Sequence, residues 1–180
     1  IFVFGDNSFN IDMKRVEEFC DLLIQNKIKI LWSVSIRAEI ISQQLANKMK
    51  EAGCYNVSIG IESANNEVLS KINKQSTINE ISEGIKIFKK AGIEVLGQFV
   101  IGSPHDTLET VNESMDWAKS SECDFVNFYA CLPFKGTPQW EYVEKHGHFY
   151  TTKIHDFHSI EPKIVFDTPE FSYEDRLKAI

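Results

Sequence analysis

Val57-Ser58-Ile59-Gly60-Ile61-Glu62-Ser63 and Ile101-Gly102-Ser103-Pro104-His105-Asp106-Thr107 decide how this chain is read. Each is an apolar, β-branched run that ends in glycine and polar residues, and a helical pattern follows it. Strands of that kind, each followed by a helix, build parallel sheets. In such sheets the polar groups at the C-terminal strand ends carry the ligand chemistry. Two of these ends in one chain suggest a shared site.

Similar runs recur on either side. Ile1–Phe4, Ile28–Ile36, Tyr55–Ile61, Ile93–Ile101 and Cys123–Ala130 are rich in Val, Ile and Phe and read as strands buried on both faces. Helical patterns separate them. Asp12 caps one that runs to about Lys27, and Ser42 caps another that stops at Gly53. Thr77-Ile78-Asn79-Glu80 reads as a capping box and Gly92 as the stop of its helix; Thr107-Leu108-Glu109 opens a further helix. The alternation predicts an α/β fold made of βαβ units, as an open sheet or part of a barrel. From His146 onward the pattern weakens, and Gly147, Pro162 and Pro169 punctuate an aromatic-rich tail.

Composition narrows the class. The chain has 180 residues, 43% hydrophobic and 25% charged, with a net charge of −7. That is ordinary for one globular domain and disfavours nucleic-acid binding through a basic face. No apolar run approaches the length of a membrane span, and no secretory signal opens the chain. Cys20, Cys54, Cys123 and Cys131 form no C-x-x-C pair, so reduced thiols in a cytoplasmic protein are expected. The chain opens inside an apolar run without Met and stops within a helical pattern, which reads as a fragment of a longer protein.

Taken in order, the strand ends carry distinct groups. Phe4-Gly5-Asp6-Asn7 offers a close backbone approach and two acceptors, against the plainer reading of a turn and helix cap. Arg37 can grip a carboxylate. Glu62 is costly to bury unless something pairs with it. Gln98 and Gly102-Ser103-Pro104 follow, then Pro133-Phe134-Lys135-Gly136-Thr137-Pro138 before a short helix with Trp140 and Tyr142. His146-x-His148 and His155-x-x-His158, with Cys131, are a weak zinc alternative. No G-x-S-x-G elbow, P-loop or G-x-G-x-x-G is present.

Gly5-Asp6-Asn7, Ile59-Gly60-Ile61-Glu62-Ser63, Ile101-Gly102-x-Pro104-x-Asp106-Thr107 and Pro133-x-x-Gly136-Thr137-Pro138, in that order, resemble the radical S-adenosylmethionine (SAM) superfamily. The likeness is closest to the branch with cobalamin-binding members, oxygen-independent coproporphyrinogen oxidases and methylthiotransferases. It implies a partial (β/α)6 TIM-like barrel with helices outside, over residues 1–149. This chain would supply the second to sixth strands, without the first strand and cluster loop, and residues 150–180 would form an irregular C-terminal extension.

The resemblance also implies roles. Gly5, Asp6 and Asn7 match the segment that binds the SAM amino group, and Glu62 a polar SAM contact. Lys74 matches a basic residue that reaches the SAM carboxylate, with Arg37 a second candidate. Gln98 matches a ribose-binding position, and Ile101 and Gly102 the segment against adenine. His105 stands where the family has Gly after Pro. The C-x3-C-x2-C motif that holds the 4Fe-4S cluster does not occur here and is expected upstream of Ile1.

The parent is thus expected to cleave SAM to a 5′-deoxyadenosyl radical, or to transfer methyl if cobalamin-dependent, on an unknown substrate. Flavodoxin or ferredoxin would donate the electron. The fragment itself would be inactive, would bind SAM weakly and would self-associate through its exposed first strand. Two alternatives remain at this point: a degenerate barrel acting as a binding or scaffold module, and an isomerase or aldolase fragment using Glu62 and Lys74 as acid and base.

Overall fold

The structure is a computed structural model that describes residues 1–153 and 163–179. One five-stranded sheet organises it: β1 (Phe2–Val3), β2 (Trp32–Ser35), β3 (Cys54–Glu62), β4 (Glu94–Ile101) and β5 (Phe125–Ala130), in the spatial order β1-β2-β3-β4-β5. β1–β2 and β2–β3 are parallel. The amides of Asp124 and Cys131 bond the carbonyls of Val95 and Ile101, so β4–β5 runs parallel as well. Sequential order with helical crossovers is the winding of a barrel wall rather than of a doubly wound sheet.

The helices between the strands are α1 (Met13–Gln25), α2 (Gln43–Glu51), α3 (Asn66–Lys71), α4 (Ile78–Lys90) and α5 (Leu108–Ser120). After β5 come α6 (Pro138–His146), then β6 (His148–Phe149) antiparallel to β7 (Phe166–Asp167), and α7 (Tyr173–Ala179). The local signals act as expected. Asp12 accepts from the Arg15 amide, Ser42 from Leu45, and Thr77 and Glu80 close a reciprocal box.

Two strand boundaries differ from the sequence expectation. The apolar run from Ile28 becomes strand only at Trp32, where pairing to both Phe2 and Cys54 begins; Ile28 and Leu31 stay about half exposed. β5 starts at Phe125, and just before it the Asp124 carboxylate accepts from the Val95 amide at 2.8 Å and pairs with Lys89. Burial on both faces is also only half met. In β3, Val57, Ile59 and Ile61 are buried, while Ser58, Gly60 and Glu62 are half-buried. In β4, Val95, Gly97 and Phe99 are buried, with Leu96 and Gln98 half-buried. Alternation puts Ser58, Gly60 and Glu62 of β3 and Leu96 and Gln98 of β4 on the less buried face.

Two compact units divide the chain. The first holds residues 1–61, 76–98 and 118–127. Its core is an aromatic box in which Phe4, Phe9, Phe19 and Trp32 sit with all ring centroids 5.3–6.0 Å apart. Trp32 Nε1 donates to the Ala52 carbonyl at 2.8 Å, so the buried indole is satisfied. Gly84 of α4 lies against the 3-10 turn Ala38–Ile40, where a Cβ would collide with the Ala38 carbonyl.

The second unit holds residues 62–75, 99–117 and 128–180. Phe99 stacks on Phe128 at 4.8 Å. Cys131, Val143, Val165 and Phe166 form one buried cluster, and Val111, Phe171 and Ala179 another. No helix among the described residues is long and apolar enough to cross a membrane.

Candidate functional site

In the first unit the loop after β1 is open. Gly5, Asp6 and Asn7 are exposed. Asp6 accepts from Arg15 at 3.2 Å, an ion pair between half-exposed partners. Three residues on, Asn10 is wholly buried; it donates to the Arg37 carbonyl at 2.8 Å and accepts from the Arg37 amide at 2.9 Å. One side-chain amide thereby mimics a strand partner and ties the loop after β1 to the end of β2. The Arg37 guanidinium pairs with Glu39 at 2.7 Å and is exposed. Gln98 is half-buried on β4.

The second unit contains the other predicted residues. Glu62 ends β3 with φ +69, a left-handed backbone that side chains adopt at a cost. Ser63 is buried beside it, within 3.3 Å of the Ser114 hydroxyl of α5, and the Ala64 amide donates to Ser114 at 2.9 Å. The turn is therefore docked on α5 and Glu62 has little freedom. Its carboxylate meets Lys74 at 3.8 Å, both side chains being mostly buried. Burial pushes the Glu62 carboxyl above its usual range, and the Lys74 charge opposes that shift without cancelling it.

Ile101 and Gly102 end β4. Gly102 has φ +81, and its amide donates to the Asp106 carboxylate at 2.9 Å. Asp106 is buried and also accepts from the Thr110 hydroxyl at 2.7 Å. Burial raises its pKa, while those bonds hold it down in part. His105 has φ +75, so the turn keeps the conformation glycine favours even though histidine fills it. The strain costs about 1 kcal/mol or more. His105 packs on Tyr142 at 4.3 Å, and the Tyr142 hydroxyl donates to Glu170 at 2.6 Å. These rings border a cavity of about 420 Å³, which Ile72, Asn73, Pro104 and Pro138 also line. That is the size of a small-molecule site.

Three groups carried no signal in the sequence: Asn10, the Ser63–Ser114 contact, and Arg176. Each acts through partners 27, 51 or 74 residues away, and no local spacing rule reaches that far. Glu62 and Lys74 come together, and so do Gly102 and Asp106. Among the described residues no group of three His, Cys, Asp or Glu stands ready for a metal; His155 and His158 of the histidine cluster lie outside them.

Comparison with known proteins gives the family. The profile of the Radical SAM superfamily matches residues 1–118. An uncharacterized methyltransferase of Pyrococcus horikoshii is 33% identical over 159 residues, covering 88% of this chain and 35% of that protein. The anaerobic magnesium-protoporphyrin IX monomethyl ester cyclase of Rubrivivax gelatinosus is 30% identical over 135 residues, covering 74% and 24%. This chain spans only about a quarter to a third of these relatives.

Among solved structures, the radical SAM methyltransferase TsrM from Kitasatospora setae, with tryptophan and a SAM analogue bound, superposes with a TM-score of 0.74 at 18% identity. The match covers 84% of this chain and 32% of that one. TsrM has also been solved with cobalamin and a 4Fe-4S cluster. The likeness identifies the fold as part of a (β/α) TIM-like barrel.

The family uses SAM and a 4Fe-4S cluster, and the two groups fit this chain differently. A cluster needs thiolates. Burial pushes the Cys20 and Cys54 thiols up to about 12 and Cys131 to about 11, and raises Cys123. Among the described residues these cysteines do not gather into a group that could hold a metal. For SAM, the feature that fits is Glu62, a mostly buried carboxylate held in a fixed turn, which suits a cationic amino acid. With motif order, strand order and profile in agreement, the chain belongs to the radical SAM superfamily.

Proposed function

We propose that this chain is the SAM-cradling section of a radical SAM enzyme of the cobalamin-dependent, methyl-transferring kind. The cluster ligands would come from outside it, and the chain alone would turn nothing over. The observation that carries the reading is the alternation along β3 and β4. One face is packed, and the other presents Ser58, Gly60, Glu62 and Gln98 alongside Leu96 and Val100.

On this reading Gly5, Asp6 and Asn7 take the SAM amino group, and Arg37 or Lys74 its carboxylate. Glu62 makes a polar contact, Gln98 meets the ribose, and Ile101 with Gly102 lies against adenine. When bound, SAM supplies the radical or methyl chemistry; the residues here hold and orient it and exclude water. For Arg37 and Lys74 to serve, each exchanges a carboxylate partner it already has, Glu39 or Glu62. The relatives' methyltransferase and cyclase activities support this class of chemistry, with the substrate set elsewhere. A cytoplasmic location, a flavodoxin- or ferredoxin-type donor and self-association through the exposed Ile1, Phe2 and Val3 complete the proposal.

The test is EPR of the reduced, anaerobically reconstituted full-length protein, with and without SAM. A 4Fe-4S signal that changes on adding SAM is the expected result. Absence of any cluster after reconstitution would leave the scaffold reading in its place.

A further inference from the structure

The backbone at Gly102 is gripped from both sides. Its amide goes to Asp106. Its carbonyl accepts from Arg176 Nη1 at 3.0 Å, and a Cβ at Gly102 would collide with that same nitrogen. Arg176 sits on α7 and is only 6% exposed. Its guanidinium carbon lies 4.0 Å from the Phe166 ring centroid and 4.8 Å from that of Phe171, and Nε donates to the Phe171 carbonyl at 3.1 Å.

A buried arginine is expensive and normally has a carboxylate partner. Among the described residues Arg176 has no ion pair, and Nη2 has no hydrogen-bond partner. The cavity beside it, lined by Ile101, Ala130, Cys131 and Phe171, holds about 20 Å³. That is room for one water and not for a ligand. The cationic side chain is therefore not a receptor for a substrate group. Of the two peptide carbonyls it touches, that of Phe171 lies in its own C-terminal segment and that of Gly102 ends β4.

We infer that Arg176 is a positioning residue. Through the Gly102 carbonyl it sets the strand end that faces the cofactor's adenine, making residues 163–179 a working part of the nucleotide site. The inference rests on the adenine role proposed for Ile101 and Gly102. Two ring faces and two backbone carbonyls hold the guanidinium, and cation–π attraction adds to the longer-range pull of Asp106 and Asp167. Lysine could keep one donor but not the planar fork or the stacking.

The experiment uses the full-length, cluster-loaded protein and its Arg176→Met and Arg176→Lys variants. Binding of S-adenosylhomocysteine and of methionine, which lacks the nucleoside, is measured by calorimetry. Amide exchange is followed over residues 99–106. In Arg176→Met, S-adenosylhomocysteine is expected to weaken about tenfold with methionine unchanged. Exchange at Gly102 should quicken, and Arg176→Lys should recover part of both. Equal loss for both ligands, or no loss with exchange unchanged, overturns the inference. Should the Met variant not fold, Arg176→Lys alone decides, with a selective loss expected and no selective loss overturning it. Failure of the unmodified protein to bind S-adenosylhomocysteine more tightly than methionine would instead overturn the adenine role itself.

Discussion

The loop after β1 and the loop after β4 stand in the same structural position, each at the C-terminal end of a parallel strand, and they are built in opposite ways. Gly5, Asp6 and Asn7 are exposed, and Asp6 has one half-exposed ion-pair partner. Ile101 to Asp106 is largely buried, with left-handed backbone at Gly102 and His105 and both Gly102 peptide groups bonded. An exposed loop gains order from what it binds. A buried one carries its order beforehand and pays for it in strain and desolvation. On the proposed SAM-binding reading, the first would contribute selectivity at little cost to folding, and the second would couple binding to stability.

The sharpest way to break the contrast is Gly102→Ala. The methyl group meets Arg176 Nη1, and the backbone must hold φ +81, so a loss of about 3 kcal/mol is expected in urea unfolding. Asp106→Ala comes next, at about 2 kcal/mol, because the Gly102 amide loses a buried charged acceptor. Its counterpart in the open loop, Asp6→Ala, should change stability by less than about 0.5 kcal/mol, since exposed pairs contribute little. Equal costs for Asp106→Ala and Asp6→Ala would erase the distinction between the loops.

A smaller effect concerns Glu62. Its folded pKa is raised above the unfolded value, so the native state holds extra proton in that window. Stability is then full below the ordinary glutamate pKa of about 4.3 and declines as pH rises through the raised folded value. Glu62→Gln should flatten that decline and raise stability at neutral pH by about 0.5 kcal/mol while weakening SAM binding. Urea midpoints measured across the acid range read the first effect, and calorimetry with SAM the second. A midpoint profile that keeps its slope in the variant would assign the decline to Asp106, whose pKa is raised too.

How much was legible follows the range of each interaction. Helix starts at Asp12, Ser42 and Thr77 are three-residue devices, and each cap forms. Strand ends such as Gly60-Ile61-Glu62 announce themselves because a carboxylate directly after an apolar run is costly to desolvate without a polar partner or ligand. The start of β2 was less legible, because hydropathy cannot distinguish an exposed Ile28 from a buried Val34. The Phe4–Phe9–Phe19–Trp32 box and the grip of Arg176 on Gly102 lie beyond any local pattern: an aromatic or an arginine names its chemistry but not its partner. Among the site residues, type and neighbourhood pointed to Glu62 and Gly102. That Glu62 would be found against Lys74 needed the turn through α3, which left no clear period in six residues.

The buried thiols have a practical consequence at the bench. With Cys20 and Cys54 pushed up to about 12 and Cys131 to about 11, almost none of any of them ionises at neutral pH. Alkylating reagents and ferrous iron both select the ionised form. Those three buried cysteines should stay silent in a native thiol titration, so that the reactive thiol within this chain is the partly buried Cys123.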